Sequence, residues 1–169
     1  MGECAAELRG VAMGWRYATA TLGLLCVASG GWASAPDING DPHYGSVDLE
    51  AAFGDDPRRV DVNAGGYEDA SEEVGSECSG YISNSPDYRV YYDAGSLPLI
   101  ISVDSPADTT LVINGPEGEW HCDDDSGQDM NPSVRFDKPD SGRYDIWVGT
   151  YEEGDMQAAT LYISELESR

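Results

Sequence analysis

The chain has 169 residues, and its 32 aspartate and glutamate residues against 9 lysine and arginine residues give a formal net charge of -23. A surface of this charge repels phosphate backbones and anionic lipid headgroups, and the sequence contains no basic patch that would offset the repulsion. We therefore expect no nucleic-acid binding; cations, above all Ca²⁺, or basic surfaces are the expected partners. Hydrophobic residues make up 40% of the chain, which is enough for one folded core.

The first 35 residues have the layout of a secretory signal peptide. Arg9 and Arg16 form a positive start, an uncharged apolar run covers 17–29, and small residues follow up to Ala35. The apolar run is short for a membrane span of about 30 Å, so a cleaved leader is favoured over the alternative, an uncleaved anchor.

Cleavage after Ala33 or Ala35 fits the small residues at those positions, and either the first methionine or Met13 fits as the start. We predict a signal peptide over 1–35 and one mature domain over 36–169. The protein is then secreted or periplasmic, with no membrane span after processing.

Two cysteines remain after the leader is removed, Cys78 and Cys122. An even number of cysteines in an oxidising compartment predicts one disulfide between them, although two free thiols are the alternative. Closing a loop of about 45 residues stabilises a fold by ~4 kcal/mol in the chain-entropy description.

Apolar residues after position 36 alternate with polar ones at a period of two, and clusters of Gly, Pro, Asn and Asp interrupt them. An acidic loop is expected over 67–77, and the nearly continuous apolar run 97–103 predicts a central strand that is buried on both faces. The pattern predicts an all-β, antiparallel, jelly-roll-like β-sandwich of about eight or nine strands, with a closed barrel as the alternative. The clearest segments are 47–53, 60–62, 88–92, 97–103, 111–113, 134–136, 144–148 and 159–163.

The densest group of carboxylates lies in 120–132, where three aspartates are adjacent. Adjacent carboxylates repel one another, and Ca²⁺ takes six to eight oxygens of the kinds that this loop offers. The sequence therefore predicts a calcium site here; a solvated acidic loop and an adaptation to high salt are the alternatives. The candidate ligands are Asp123, Asp124, Asp125, Asp129 and Asn131.

The region 88–151 resembles the bacterial pre-peptidase C-terminal (PPC) domain, a secreted β-sandwich often appended to peptidases. The segments that carry the resemblance are 111–116, 117–120, 123–127, 131–132 and 139–151, with weaker matches at 41–45 and 64–66. The resemblance implies a jelly-roll-type sandwich, sometimes stabilised by calcium, that binds or assists rather than catalyses. No peptidase domain precedes the matching region in this sequence, so a stand-alone module is expected.

The sequence offers little for catalysis. His43 lies in a lead-in segment, 34–43, that contains proline and glycine, and His121 is next to a cysteine that we expect in a disulfide. The G-x-S-x-G elbow of many hydrolases is missing, and too few His and Cys residues remain for a zinc site. We predict a protein that is not an enzyme; a secreted peptidase or peptidase-associated factor that depends on His121 is the alternative.

Aromatic residues provide a candidate binding surface. In the strand 144–148, alternation places Ile146 and Trp147 on opposite faces, so that one of them faces outward. The same reasoning applies to Tyr91 beside Val90. The predicted surface consists of Trp120, Trp147 and Tyr91.

Together these features predict an exported, non-catalytic, calcium-stabilised β-sandwich that binds a protein, peptide or polysaccharide in the envelope or outside it. The alternatives are the peptidase-associated factor and a surface or matrix protein that self-associates through calcium cross-links.

Overall fold

Eleven strands and one short helix make up residues 36–169, the part of the chain that the computed structural model describes. The predicted signal peptide lies outside the described residues. The elements are β1 Ser46–Glu50, β2 Arg58–Ala64, β3 Glu68–Asp69, α1 Ala70–Glu73, β4 Tyr81–Ile82, β5 Tyr88–Asp93, β6 Leu99–Asp104, β7 Thr109–Asn114, β8 Trp120–Asp123, β9 Ser133–Phe136, β10 Gly142–Thr150 and β11 Gln157–Ser164.

The strands form two separate sheets. In the seven-stranded sheet, β10 is central: β5 and β4 pair with one of its edges and β7 with the other, while β1, β3 and β8 extend the sheet. The four-stranded sheet has the order β2-β11-β6-β9. The predicted all-β architecture of two sheets is confirmed, and the closed barrel is not formed by the described strands.

The main core lies between the two sheets. Its residues alternate along each strand, because successive side chains of a strand point to opposite faces. The larger sheet contributes residues such as Val90, Ile113 and Ile146, and the smaller sheet contributes residues such as Ile101 and Leu161, all fully buried.

A second, smaller core covers the outer face of the larger sheet. Val112 of β7 and Trp147 of β10 are cross-strand neighbours on that face, and Ile82, Ala70 and Cys78 pack over them. Helix α1 and the segment that follows it, up to Cys78, therefore act as a third layer over part of the sheet.

The predicted strand in 97–103 is confirmed as β6, which lies between β11 and β9. Its inward residues face the main core, while Ile100 and Ser102 on the outer face are also buried. The end of the chain covers this outer face, since the backbone N–H of Arg169 donates to Ser102 Oγ at 3.0 Å and its guanidinium lies over the ring of Tyr162.

Two expectations about local structure were wrong. The segment expected as an acidic loop contains β3 and α1, whose N-terminus is capped by the side chain of Asp69 accepting from Ser71 N. A helix of four residues is too short to show a 3.6-residue period. In addition, β1 and β5 run parallel rather than antiparallel; the long stretch between them allows either direction.

Candidate functional site

The aspartate loop follows β8 and is organised by hydrogen bonds within the protein. Asp123 accepts from the backbone N–H groups of Ser126 and Ser133 at 3.0 and 2.7 Å, and from the hydroxyl of Ser126 at 2.6 Å. Both of its carboxylate oxygens are therefore used by the loop itself.

Asn131 points away from the acidic loop. It is buried, its Oδ1 accepts from Thr109 Oγ1 at 2.6 Å, and its Nδ2 donates to the carbonyl of Ser105 at 2.8 Å. Asp129 is exposed at a backbone position with φ 52°. The five candidate ligands therefore do not form one set around a single cation.

Carboxylates do approach each other on one side of the loop. Asp124 accepts hydrogen bonds from Ser79 and Tyr151. The pKa of Asp108 is raised by burial and, to a smaller extent, by the negative charges of Asp125 and Asp124. Within 36–169, however, no three His, Cys, Asp or Glu side chains are grouped as metal ligands would be. Calcium binding stays a prediction.

The predicted disulfide is confirmed. Cys78 and Cys122 are bonded, with Cα atoms 5.2 Å apart and a sequence separation of 44. Cys122 lies opposite Val112 in the pairing of β7 and β8, so the bond fixes the third layer to the outer face of the larger sheet.

The predicted aromatic surface was wrong for Trp147. This residue does face away from Ile146, but its side chain is fully buried beneath the second core. Trp120 is half-buried, with its ring 5.4 Å from that of Trp147, and Tyr91 is 43% exposed elsewhere on the sheet. The pattern correctly placed Trp147 on the outer face but gave no sign of the layer that covers it.

The two histidines have different surroundings. His121 packs edge-on against Phe136, with ring centroids 4.8 Å apart, and its Nε2 lies 3.6 Å from Glu119. His43 instead lies beside the buried carboxylate of Asp87, with 3.4 Å between His43 Nδ1 and Asp87 Oδ1.

The lead-in segment that carries His43 is fixed to the larger sheet. The backbone N–H groups of His43 and Tyr44 donate to the carbonyls of Pro86 and Asp87 at 2.9 and 2.8 Å. Arg89 donates to the carbonyl oxygens of Ile38 and Gly40 at 2.8 and 3.1 Å, which holds the preceding part of the segment.

Asp87 precedes β5 and is almost completely buried. Its Oδ2 accepts from Val148 N at 2.8 Å, and its Oδ1 is 3.5 Å from Ser83 Oγ. Burial raises the pKa of Asp87 to about 6, against the opposing effects of the Val148 hydrogen bond and of His43.

This cluster is not arranged as a hydrolase triad. Ser83 Oγ donates to the carbonyl of Ser85 at 2.7 Å and lies near the same Asp87 oxygen that His43 approaches. In a triad the imidazole stands between the hydroxyl and the carboxylate, each bonded to a different ring nitrogen. The arrangement therefore offers no activated hydroxyl.

A pocket of about 280 Å³ opens beside the cluster; we call it the deep pocket. Two exposed side chains flank it, Tyr67 at 71% and Met156 at 53%. Its wall includes Gly66, where an added Cβ would overlap the backbone of Ile82, so the wall depends on the absence of a side chain there. The deep pocket is lined by His43, Tyr44, Asn63, Gly65, Gly66, Tyr67, Glu68, Ser83, Asn84, Asp87 and Met156.

A shallower depression of about 460 Å³ lies next to it along β2 and β11; we call it the trough. Thr160 of β11 lies between Asp61 of β2 and Asp104 of β6, which are its cross-strand neighbours. Two exposed carboxylates therefore flank small side chains. Tyr44 and Asn63 line both the trough and the deep pocket, which places the two side by side. Neither has a lysine or arginine in its lining.

Most of the basic residues in the described part of the chain are already neutralised. Equal numbers of acidic and basic residues precede position 36, so the described part keeps the net charge of -23. The ion pairs join Arg58 to Asp55, Arg89 and Arg143 to Asp145, Arg135 to Asp137, and Arg169 to Glu167.

Sequence reasoning missed the deep pocket and the trough. Asp87, Tyr67 and Met156 belong to different turns and strands, and no spacing in the sequence indicates that they meet. The one available signal was the pair Gly65-Gly66, because adjacent glycines after a strand can mark a close approach of backbone.

No family model matches the chain, and no curated protein matches it. Among solved structures, the periplasmic PliG of Aeromonas hydrophila, an inhibitor of g-type lysozyme, aligns over 74% of this chain and 98% of that chain, with 12% sequence identity and a TM-score of 0.34. This likeness is too distant to assign a family or a partner. Among residues 36–169, no helix has the length and apolar character needed to cross a membrane.

Proposed function

We propose that this protein is an exported, non-catalytic binding module that captures a basic protein or basic peptide segment through the trough and the deep pocket. The observation that carries the proposal is the composition of this surface. It joins exposed Tyr67 and Met156 to the carboxylates of Asp61, Glu68 and Asp104, with no lysine or arginine in its lining.

Each part of this surface has a role in recognising such a partner. Aromatic and methionine side chains supply apolar contact area, and methionine adapts to irregular partners. The surrounding carboxylates attract a basic surface and repel an acidic one, which gives selectivity and faster association. A net charge of -23 extends the same attraction beyond the contact area.

Binding to short synthetic peptides tests the proposal. Peptides of the same length with basic, neutral or acidic residues around one leucine are titrated into the purified mature protein at low and at physiological salt. We expect binding of the basic peptide only, with an affinity that falls as salt is added, because exposed charges are screened. Equal binding of the acidic peptide would contradict the proposal.

A pair of double variants with the same change in charge locates the surface. Asp61→Asn with Asp104→Asn removes both trough carboxylates, whereas Asp48→Asn with Glu50→Gln removes two exposed carboxylates on β1. We expect the trough variant to bind the basic peptide about tenfold more weakly than wild type at physiological salt. The β1 variant should differ from wild type in its affinity for this peptide by less than about twofold. Equal losses would show non-specific attraction rather than a site.

Membership of the PPC family and stabilisation by calcium are further proposals that rest on the sequence. Asp125 and Asp124 of the loop lie near enough to Asp108, which precedes β7, to raise its pKa, and a cation between these carboxylates would offset their repulsion. Thermal melting with calcium, with magnesium and with chelator tests the calcium proposal. A specific site raises stability by ~2–4 kcal/mol at excess calcium, and an equal effect of magnesium would contradict it.

A further inference from the structure

The deep pocket contains a carboxylate without a full set of partners. Asp87 Oδ2 is bonded to Val148 N at 2.8 Å, but Oδ1 has only His43 Nδ1 at 3.4 Å and Ser83 Oγ at 3.5 Å. Both distances exceed those of a strong hydrogen bond, which for a charged acceptor lie near 2.7–2.9 Å. A carboxylate in this environment gains from a cation that approaches Oδ1.

The ring of His43 lies beside Asp87, and both residues line the deep pocket. Its side chain is 49% exposed, and its backbone N–H is bonded to the carbonyl of Pro86. The imidazole can therefore turn outward by rotation about its side-chain bonds while the main chain of the lead-in segment stays in place.

The mouth of the pocket suits a long cationic side chain. The ring of Tyr67 packs beside Gly154 and is otherwise exposed, and Met156 lines the same pocket. A guanidinium stacks on an aromatic face, and the methylene groups of arginine pack against apolar walls.

We propose that the deep pocket receives an arginine side chain of the basic partner, with the guanidinium paired to Asp87 after the His43 ring turns outward. This inference rests on the proposed function, because it names the partner residue that the surface recognises. Arginine fits better than lysine here, since its planar group can stack on Tyr67 and present two N–H donors to one carboxylate.

The test uses a short acetylated and amidated peptide with one arginine flanked by glycines, and the same peptide with citrulline, its uncharged analogue. Binding to the isotopically labelled mature protein is followed by NMR near neutral pH. We expect the arginine peptide to bind at least about tenfold more tightly than the citrulline peptide, with shifts of the His43 ring signals and of the Val148 amide. A lysine peptide that binds more tightly than the arginine peptide would overturn the choice of arginine.

Matched variants separate the pocket from general attraction. Asp87→Asn keeps the shape of the side chain and removes its charge. We expect this variant to bind the arginine peptide at least about tenfold more weakly than wild type. Tyr67→Ala, an exposed residue whose loss should leave the fold intact, should weaken it several-fold. The controls Asp48→Asn and Tyr91→Ala, which remove an exposed carboxylate and an exposed aromatic ring elsewhere, should have little effect.

Equal binding of the arginine and citrulline peptides, or equal effects of Asp87→Asn and Asp48→Asn, would overturn this inference. If basic peptides bind, and their binding depends on the trough carboxylates but not on Asp87 or Tyr67, the inference fails while the proposed function stands. If the wild-type protein binds no basic peptide, both fail together.

Discussion

Substitution of Asp87 by asparagine should change how the stability of the protein depends on pH. Burial raises the pKa of Asp87 from the ordinary 3.8 to about 6, so between these values the native protein keeps a proton that the unfolded chain has lost. The free energy of unfolding that the protonated native form contributes is therefore fully present below pH 3.8, and it is lost as the pH rises through about 6. Asparagine does not titrate and does not show this loss.

The magnitude follows from the two pKa values. Their difference corresponds to about 3 kcal/mol of unfolding free energy at 1.36 kcal/mol per pH unit. We therefore expect the free energy of unfolding of Asp87→Asn, relative to wild type, to increase by about 3 kcal/mol between about pH 4 and pH 7. For a domain of this size, the corresponding change in relative melting temperature is roughly 10 °C.

Urea denaturation at matched ionic strength, followed by tryptophan fluorescence at several pH values, measures this difference. Repeating the comparison in a His43→Gln background removes the neighbouring imidazole, so that the carboxyl of Asp87 alone is varied. The exposed Asp48→Asn serves as the control. The reasoning would be refuted if the free energy of unfolding of Asp87→Asn relative to wild type stayed constant to within about 1 kcal/mol over this range, or fell as the pH rises.

Three further changes test the fold. Arg89→Met should lower the free energy of unfolding by about 3–5 kcal/mol in chemical denaturation, because it leaves a buried aspartate without one of its arginine partners; a loss below 1 kcal/mol would contradict this. Replacing Cys78 and Cys122 together by serine should lower the free energy of unfolding by ~4 kcal/mol, measured by thermal melting without reductant. Reductant should not change the melting temperature of this double variant, because it has no disulfide. Gly66→Ala should cost about 1–3 kcal/mol through overlap with backbone, while Gly54→Ala, with open space around it, should cost little; equal melting temperatures would contradict the close packing.

Several long strands could be predicted from the sequence because they have a buried face and a clear alternation, and β6 could be predicted from its nearly continuous apolar run. β5, with Tyr88, Val90 and Tyr92 in the core, is one example, and β11 is another. The two-residue strands β3 and β4 and the four-residue helix could not be predicted, since a periodic pattern needs more residues than they contain. The parallel pairing of β1 with β5 depends on tertiary arrangement rather than on either segment.

The site was harder to predict than the fold. The density of aspartates after β8 indicated a concentration of negative charge but not the direction in which each side chain points. In the structure Asp123 accepts hydrogen bonds from its own loop, and Asn131 is buried. Trp147 was placed on the correct face, but its burial depends on side chains from other parts of the chain, including Ala70, Cys78 and Trp120. The deep pocket forms only when the lead-in segment packs against the turn before β5, a contact that local sequence does not encode.

The disulfide has a consequence for limited digestion by proteases. The loop closed by Cys78 and Cys122 contains β5 and β7 of the larger sheet and β6 of the smaller one. A single cut anywhere between the two cysteines leaves both fragments covalently joined, so nicked molecules keep their mass on a non-reducing gel and separate only after reduction. Strands of both sheets thus stay tethered after a break in the backbone, and a nicked molecule in an oxidising environment can retain its assembled core.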